Sequence, residues 1–162
     1  MSAIPLTTAQ LLSALSGGPL RIATAANGVP SARLHATPVP GQWSANDVLA
    51  HLRACADLWG GCIAAILSDD HPTLRAINPR AWIAQTDYLG QPFADSLHAY
   101  SAQRAEFAAT LEQLAPEEWM RAATVRGAGK ALERTVHFYV QWLARHERAH
   151  LKQIERLAKA QP

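Results

Sequence analysis

Residues 132–159 read LERTVHFYVQWLARHERAHLKQIERLAK, a run without glycine or proline. His146 and His150 lie within it, one helical turn apart. Apolar residues recur at alternating intervals of three and four, a spacing that predicts an amphipathic helix. The predicted buried stripe contains both histidines together with Val136, Tyr139, Leu143, Ile154 and Leu157. A buried polar group without a partner costs roughly 1–3 kcal/mol, so both imidazoles need partners inside the fold.

A second segment, which follows Trp43, repeats this arrangement. Ser44 and Asp47 have the spacing of a capping box, which predicts a helix over about residues 45–68. Its apolar stripe again alternates by three and four. The stripe consists of Val48, His51, Cys55, Leu58 and Cys62. His51 is therefore a third histidine on a predicted buried helix face.

The rest of the chain also predicts helices. Residues 6–26 have helical spacing, which the Gly-Gly-Pro sequence at 17–19 is expected to interrupt. Residues 93–115 predict a further long helix, and Asn78 followed by proline predicts a short one that ends near residue 86. No segment alternates convincingly with period two, as a half-buried strand would. We therefore expect an all-α four-helix bundle with a short extra helix between its second and third long helices.

The composition is that of a globular protein. The chain has 162 residues, 49% of them hydrophobic and 17% charged, so we expect one domain spanning 1–162. The net charge is +2 and no basic run exceeds two residues, which argues against a nucleic-acid-binding protein. We expect no membrane partner and a cytoplasmic location, because no apolar stretch reaches the roughly 20 residues of a span and no signal-peptide pattern is present. Cys55 and Cys62 should be free thiols, since helical rise separates them by about 10 Å.

The three histidines predict a metal site. Facing positions of two bundle helices meet across the core, so His51 can lie opposite His146 and His150. Three imidazoles with open positions are typical of a catalytic metal site. We expect a divalent metal, zinc or nickel, with iron or copper as alternatives; it would activate a bound water or thiol at neutral pH. Two alternatives stay open: core histidines bonded to backbone or water, and Cys55 as a further ligand, although we prefer a packed thiol.

Two charged residues are candidates for catalysis. Residues 146–150, HERAH, match the zinc-peptidase helix pattern. A peptidase is disfavoured because Gln153 and Arg156 stand where the extended motif has glycine and histidine. Glu147 is then either a catalytic base or a solvated surface residue. Arg104, on the apolar stripe of its helix, either binds an anionic group of the substrate or extends past its neighbours to solvent.

Residues 41–52, GQWSANDVLAHL, and 146–154, HERAHLKQI, resemble the helix-two and helix-four signatures of the DinB/YfiT-like family of metalloenzymes. The resemblance implies a four-helix bundle, a divalent metal held by His51, His146 and His150, and a homodimer. It also implies a small-molecule substrate, with a thiol among the candidates, and hydrolysis or transfer or isomerisation that uses a low-molecular-weight thiol. A non-enzymatic stress-response protein or binding scaffold on the same bundle is the alternative.

Overall fold

The computed structural model describes residues 5–159. The four long helices of this part of the chain pack as a bundle, in which the first and second each contact both the third and the fourth. The predicted four-helix bundle is confirmed. The elements in chain order are α1 (Thr8–Ala26), α2 (Ser31–His35), α3 (Ala45–Ser68), β1 (Thr73–Arg75), α4 (Pro79–Ile83), α5 (Phe93–Glu112), β2 (Ala122–Arg126), β3 (Leu132–Thr135) and α6 (Val136–Lys159), with 3-10 turns at Tyr88–Gly90 and Glu118–Met120.

Helix α3 begins where the capping box predicts. The Ser44 hydroxyl accepts from the backbone N–H of Asp47 at 3.1 Å, and the Asp47 carboxylate accepts from the backbone N–H of Ser44 at 2.9 Å. These two bonds satisfy N–H groups that the first helical turn leaves without partners. The start of α3 is therefore fixed, about two turns before His51.

Helix α1 differs from the prediction, because it runs through Pro19 without a break. Leu11, Leu15 and Ile22 are buried along one face. Gly18 packs so closely that a Cβ atom there would lie 2.9 Å from the Tyr100 hydroxyl oxygen. The predicted interruption was wrong, since packing on α5 and α6 outweighs the hydrogen bond that proline removes.

A small sheet, absent from the prediction, closes one end of the bundle. β1 pairs in parallel with β2, and β2 pairs antiparallel with β3. The strands have three to five residues, too few for a clear alternation of apolar and polar positions. Because β3 takes Leu132–Thr135, α6 begins at Val136, four residues later than the helical spacing suggested.

The connection between α3 and α5 carries the predicted short helix, α4. The Asn78 side chain accepts from the backbone N–H of Arg80 at 3.0 Å and so caps the helix. Asp57 of α3 holds the connection in place: its Oδ2 accepts from Tyr88 Oη at 2.8 Å and from Trp82 Nε1 at 3.4 Å. The rim of the bundle above His51 is thereby tied to the helix that carries His51.

Both cysteines are free thiols, as predicted. None of the helices in residues 5–159 is long and apolar enough to cross a membrane.

Candidate metal centre

The packing of α3 against α6 brings the three predicted histidines together. Nε2 of His146 lies 3.2 Å from Nε2 of His51 and 3.2 Å from Nε2 of His150. His51 is only 8% exposed, and His146 and His150 are half-buried. The structure therefore places the three histidines in one cluster. Their role as metal ligands stays a prediction.

Gln153, one turn after His150, fixes the orientation of that ring. Its Oε1 lies 3.0 Å from Nδ1 of His150. An amide oxygen only accepts, so Nδ1 of His150 donates and carries the ring proton. Nε2 of His150 then presents its lone pair to the cluster, as a metal-binding imidazole does.

Both remaining histidines favour their neutral form. Burial lowers the pKa of His51 to about 4, and electrostatic repulsion from His150 and Arg80 adds to the effect. Burial also lowers the pKa of His146 to about 4, since protonation there would be opposed by His150 and His51 as well. At neutral pH these imidazoles are unprotonated, the state that binds metal ions.

Cys55 stands beside the cluster, one turn after His51. Its Sγ lies 3.4 Å from Nε2 of His51. Within the described residues, His51, Cys55 and His146 form a group that could hold a metal ion, since their ligand atoms lie within 4.8 Å of one another. Burial raises the pKa of the Cys55 thiol to about 12, although the Arg104 charge opposes this. In the described residues the mutually close ligand atoms are thus those of His51, Cys55 and His146, and His150 adjoins this group at His146 Nε2. Three histidines stay the predicted ligand set, and two histidines with Cys55 form a second candidate set.

Three tryptophans surround the histidines. The Trp43 ring centroid lies 4.9 Å from that of His51, and Trp142 stacks on His146 at 4.7 Å. Trp59 packs on Trp142 at 3.9 Å. Their rings give the histidine cluster an apolar wall.

Two adjoining grooves open onto the cluster. One, of about 530 Å³, reaches all three histidines. The other, of about 580 Å³, reaches His51 from the side of α4, and both grooves share Trp43 and Arg80. The cluster is therefore accessible to a small molecule. The first groove is lined by Trp43, His51, Trp59, Pro79, Arg80, Trp142, His146, His150 and Gln153.

The two predicted catalytic residues contact each other. Nη2 of Arg104, on α5, donates to Oε1 of Glu147, on α6, and each residue is 1% exposed. The Tyr100 ring lies 5.0 Å from the guanidinium carbon. The interpretations of Glu147 as a surface residue and of Arg104 as an arginine extended to solvent were wrong, because the bundle encloses both. Their catalytic roles stay predictions.

Several residues of the site were not predicted from the sequence. Trp142 precedes His146 by four residues and Gln153 follows His150 by three, so helical spacing alone could have placed both beside the histidines. Arg80 carried no such signal, because it reaches the cluster only through the packing of α4 on α3.

A four-helix bundle with a histidine cluster between two of its helices, open to a groove, defines a class of proteins able to hold a metal ion. Residues 14–154 match the sequence profile of the DinB superfamily, and the chain belongs to that superfamily. The family resemblance stated above from the two motifs is thereby confirmed.

Relatives agree with this assignment. A Geobacillus kaustophilus protein, named provisionally as a metal-dependent hydrolase, is 26% identical over 154 residues, which cover 91% of this chain and 82% of that protein. The structure of YfiT from Bacillus subtilis, described as a probable metal-dependent hydrolase with an unusual four-helix bundle topology, aligns with a TM-score of 0.76. It is 16% identical and the alignment covers 98% of this chain and 90% of YfiT, so the likeness shows the fold.

Proposed function

We propose that this chain is a metal-dependent enzyme, in the first place a hydrolase, whose divalent metal is held by His51, His146 and His150. The observation that carries the proposal is the pair of short contacts at His146 Nε2, each 3.2 Å long. Ligand distances of 2.0–2.1 Å in a tetrahedral zinc site place neighbouring nitrogens about 3.3 Å apart. The two contacts match that edge.

Hydrogen bonding alone leaves one of these contacts unexplained. A neutral His146 carries at most one proton on Nε2, and that proton points at one partner. Nε2 of His150 has no proton to offer, because Gln153 holds the proton on Nδ1. At least one of the two contacts at His146 Nε2 then has no proton directed between its two nitrogens. A cation bound between the nitrogens would account for that contact.

The residues around the cluster fit this role. A bound divalent metal would supply a Lewis acid that activates a water or thiol at neutral pH. Gln153 orients His150, and Trp142 fixes the His146 ring by stacking. The three tryptophans add an apolar wall beside the histidines. The provisional names of the two relatives support hydrolysis.

The test is elemental analysis of protein purified without an affinity tag, after growth with zinc, nickel and iron supplied. We expect near-stoichiometric metal in the wild type and its loss in His51→Ala, His146→Ala and His150→Ala. His98→Ala is the matched control, since His98 is exposed on α5. A wild-type protein without stoichiometric metal would refute the proposal.

Cys55→Ala distinguishes the two ligand sets. The three-histidine site predicts full metal content in Cys55→Ala and loss in His150→Ala. The site with Cys55 predicts the opposite result. Cobalt substitution gives a second readout, because a thiolate ligand produces a charge-transfer band that three imidazoles lack.

The reaction class is tested with a panel of esters and amides, and of electrophiles supplied with low-molecular-weight thiols. Metal-dependent cleavage without thiol that disappears in His51→Ala supports a hydrolase, whereas thiol-dependent turnover assigns a transferase or isomerase. The scaffold alternative requires partner binding that metal removal leaves unchanged. A homodimer stays a further proposal, which light scattering in solution checks.

A further inference from the structure

Arg80 stands at the mouth of both grooves. It lines the groove that reaches the three histidines and the adjoining groove beside His51. Among the residues that line these two grooves it is the only one with a permanent positive charge. Its side chain is exposed, and within residues 5–159 no hydrogen bond or ion pair engages its guanidinium.

Two arginines of the bundle, Arg104 and Arg53, are engaged within the fold and line neither groove. Arg104 pairs with Glu147. Arg53 donates to Gln91 Oε1 at 2.6 Å and to Ser96. These two arginines therefore stabilise the fold, and Arg80 is the arginine that lines the grooves.

The acidic residue of the adjoining groove, Asp47, is bonded to Ser44 through one of its two carboxylate oxygens. Asp47 lines the adjoining groove, but its Oδ2 accepts from the backbone N–H and the hydroxyl of Ser44 at 2.9 and 2.8 Å. No ion pair joins Asp47 to Arg80 in the described structure. The guanidinium is thus free to receive an anion from outside the chain.

The backbone of Arg80 is fixed relative to the histidines. Asn78 caps α4 through the N–H of Arg80 itself. Two residues further on, Trp82 is bonded to Asp57 of α3, the helix that carries His51. A fixed backbone restricts the positions that the guanidinium reaches and favours selective binding over general attraction.

We propose that Arg80 recognises an anionic group of the substrate, and that the site takes small molecules with a carboxylate next to an apolar or aromatic part. The planar guanidinium fork matches a carboxylate with two parallel hydrogen bonds. Trp43, Trp59 and Trp142 offer the apolar surface beside it. The inference rests on the proposed function, in which the reacting group of the same molecule lies at the histidines.

The experiment compares 2-naphthoate with 2-naphthamide, which have nearly the same shape and differ in charge. Both are titrated into the full chain as purified, and the metal content of each sample is measured. The variants are Arg80→Gln, Arg80→Lys and Arg126→Gln; Arg126 is exposed at the end of β2 and lines neither groove. The indole N–H signals in the NMR spectrum report the location of binding.

We expect the wild type and Arg126→Gln to bind naphthoate about tenfold more tightly than naphthamide, as a charge-assisted hydrogen bond provides. The preference should vanish in Arg80→Gln and partly return in Arg80→Lys. Signals of Trp43, Trp59 and Trp142 should shift, while that of Trp119, which is buried and lines neither groove, should not.

Equal affinities in the wild type, an unchanged preference in Arg80→Gln, or no binding of either compound would overturn the inference. A sample without metal that still shows the Arg80-dependent preference would refute the proposed function and leave the anion site standing. A sample with stoichiometric metal but no preference for naphthoate would refute the anion site and leave the proposed metal-dependent function standing.

Discussion

The ion pair between Arg104 and Glu147 provides the sharpest test of the packing. Glu147→Gln keeps the shape of the side chain but leaves the Arg104 charge without a counter-charge, at a position that is 1% exposed. Removing one partner of a buried pair costs about 3–5 kcal/mol, because the other charge stays buried and uncompensated. At about 2–4 °C per kcal/mol for a chain of this size, the melting temperature should fall by roughly 6–20 °C.

The second arm of this test replaces both charges. In the double variant Arg104→Met/Glu147→Leu no uncompensated charge is left, and apolar replacement of a buried pair is often neutral or stabilising. We expect the double variant to recover most of the stability lost in Glu147→Gln. With Arg104→Met and Glu147→Leu made singly as well, the coupling between the two positions should exceed the few tenths of a kcal/mol seen for independent sites.

The assay is urea unfolding followed by far-UV circular dichroism, with metal content measured in parallel. Metal content should be unchanged in both variants, because the pair does not belong to the histidine cluster. A loss below about 1 kcal/mol in Glu147→Gln, or a double variant as unstable as the single one, would refute this reasoning. A Glu147→Gln protein of full stability that lost turnover would place the carboxylate in catalysis instead.

Helix α1 and the histidines provide two further predictions. Gly18→Ala should destabilise the fold by about 1–3 kcal/mol, because the added Cβ would lie 2.9 Å from Tyr100 Oη. Gly17→Ala should stabilise the fold by about 0.5–1 kcal/mol, because nothing lies within 4 Å of a Cβ at that position. Thermal unfolding of both variants measures the difference, and equal effects would contradict the prediction. In metal-free protein, His51 and His146 have pKa values of about 4 in the fold, against 6.5 for an unperturbed histidine. Between pH 4 and pH 6.5 the unfolded chain therefore binds more protons than the folded chain. The free energy of unfolding should be full above pH 6.5 and should fall as the pH drops towards 4. Urea unfolding at several pH values measures that slope, and a slope that persists undiminished when both residues are changed to Gln would exclude these two groups as its source.

The residues that could be predicted are those whose pattern lies within one helix. Ser44 and Asp47 predicted the start of α3, and apolar spacing placed His51 correctly on the buried face of α3. Within residues 146–150 of α6 the buried residue is Glu147, and His146 and His150 lie half-buried at the edge of that face. These signals are local, because each depends only on residues of its own helix, and they predict which side of the helix faces the rest of the bundle.

The remaining features depend on contacts that spacing does not encode. Pro19 is tolerated in α1 because of packing by residues far along the chain, and β3 is a strand only because β2 lies beside it. The pairing of Arg104 with Glu147 needs the relative rotation of α5 and α6, and the position of Arg80 needs the route of the connection after α3. None of these follows from a periodicity of 3.6 or of two.

The carboxylate of Asp57 links the two parts of the chain that form the site, the helical bundle and the connection between α3 and α5. It accepts hydrogen bonds from Trp82 and Tyr88 of the connection and, at 2.6 Å, from Gln103 of α5. One side chain thus holds residues 79–91 against the bundle. The histidines belong to the bundle and Arg80 to the docked segment. Exchanging Arg80 and Ile83 while keeping Asp57, Trp82, Tyr88 and Gln103 should therefore change the choice of substrate and leave metal binding intact, so these two groove-lining positions are the place to engineer selectivity.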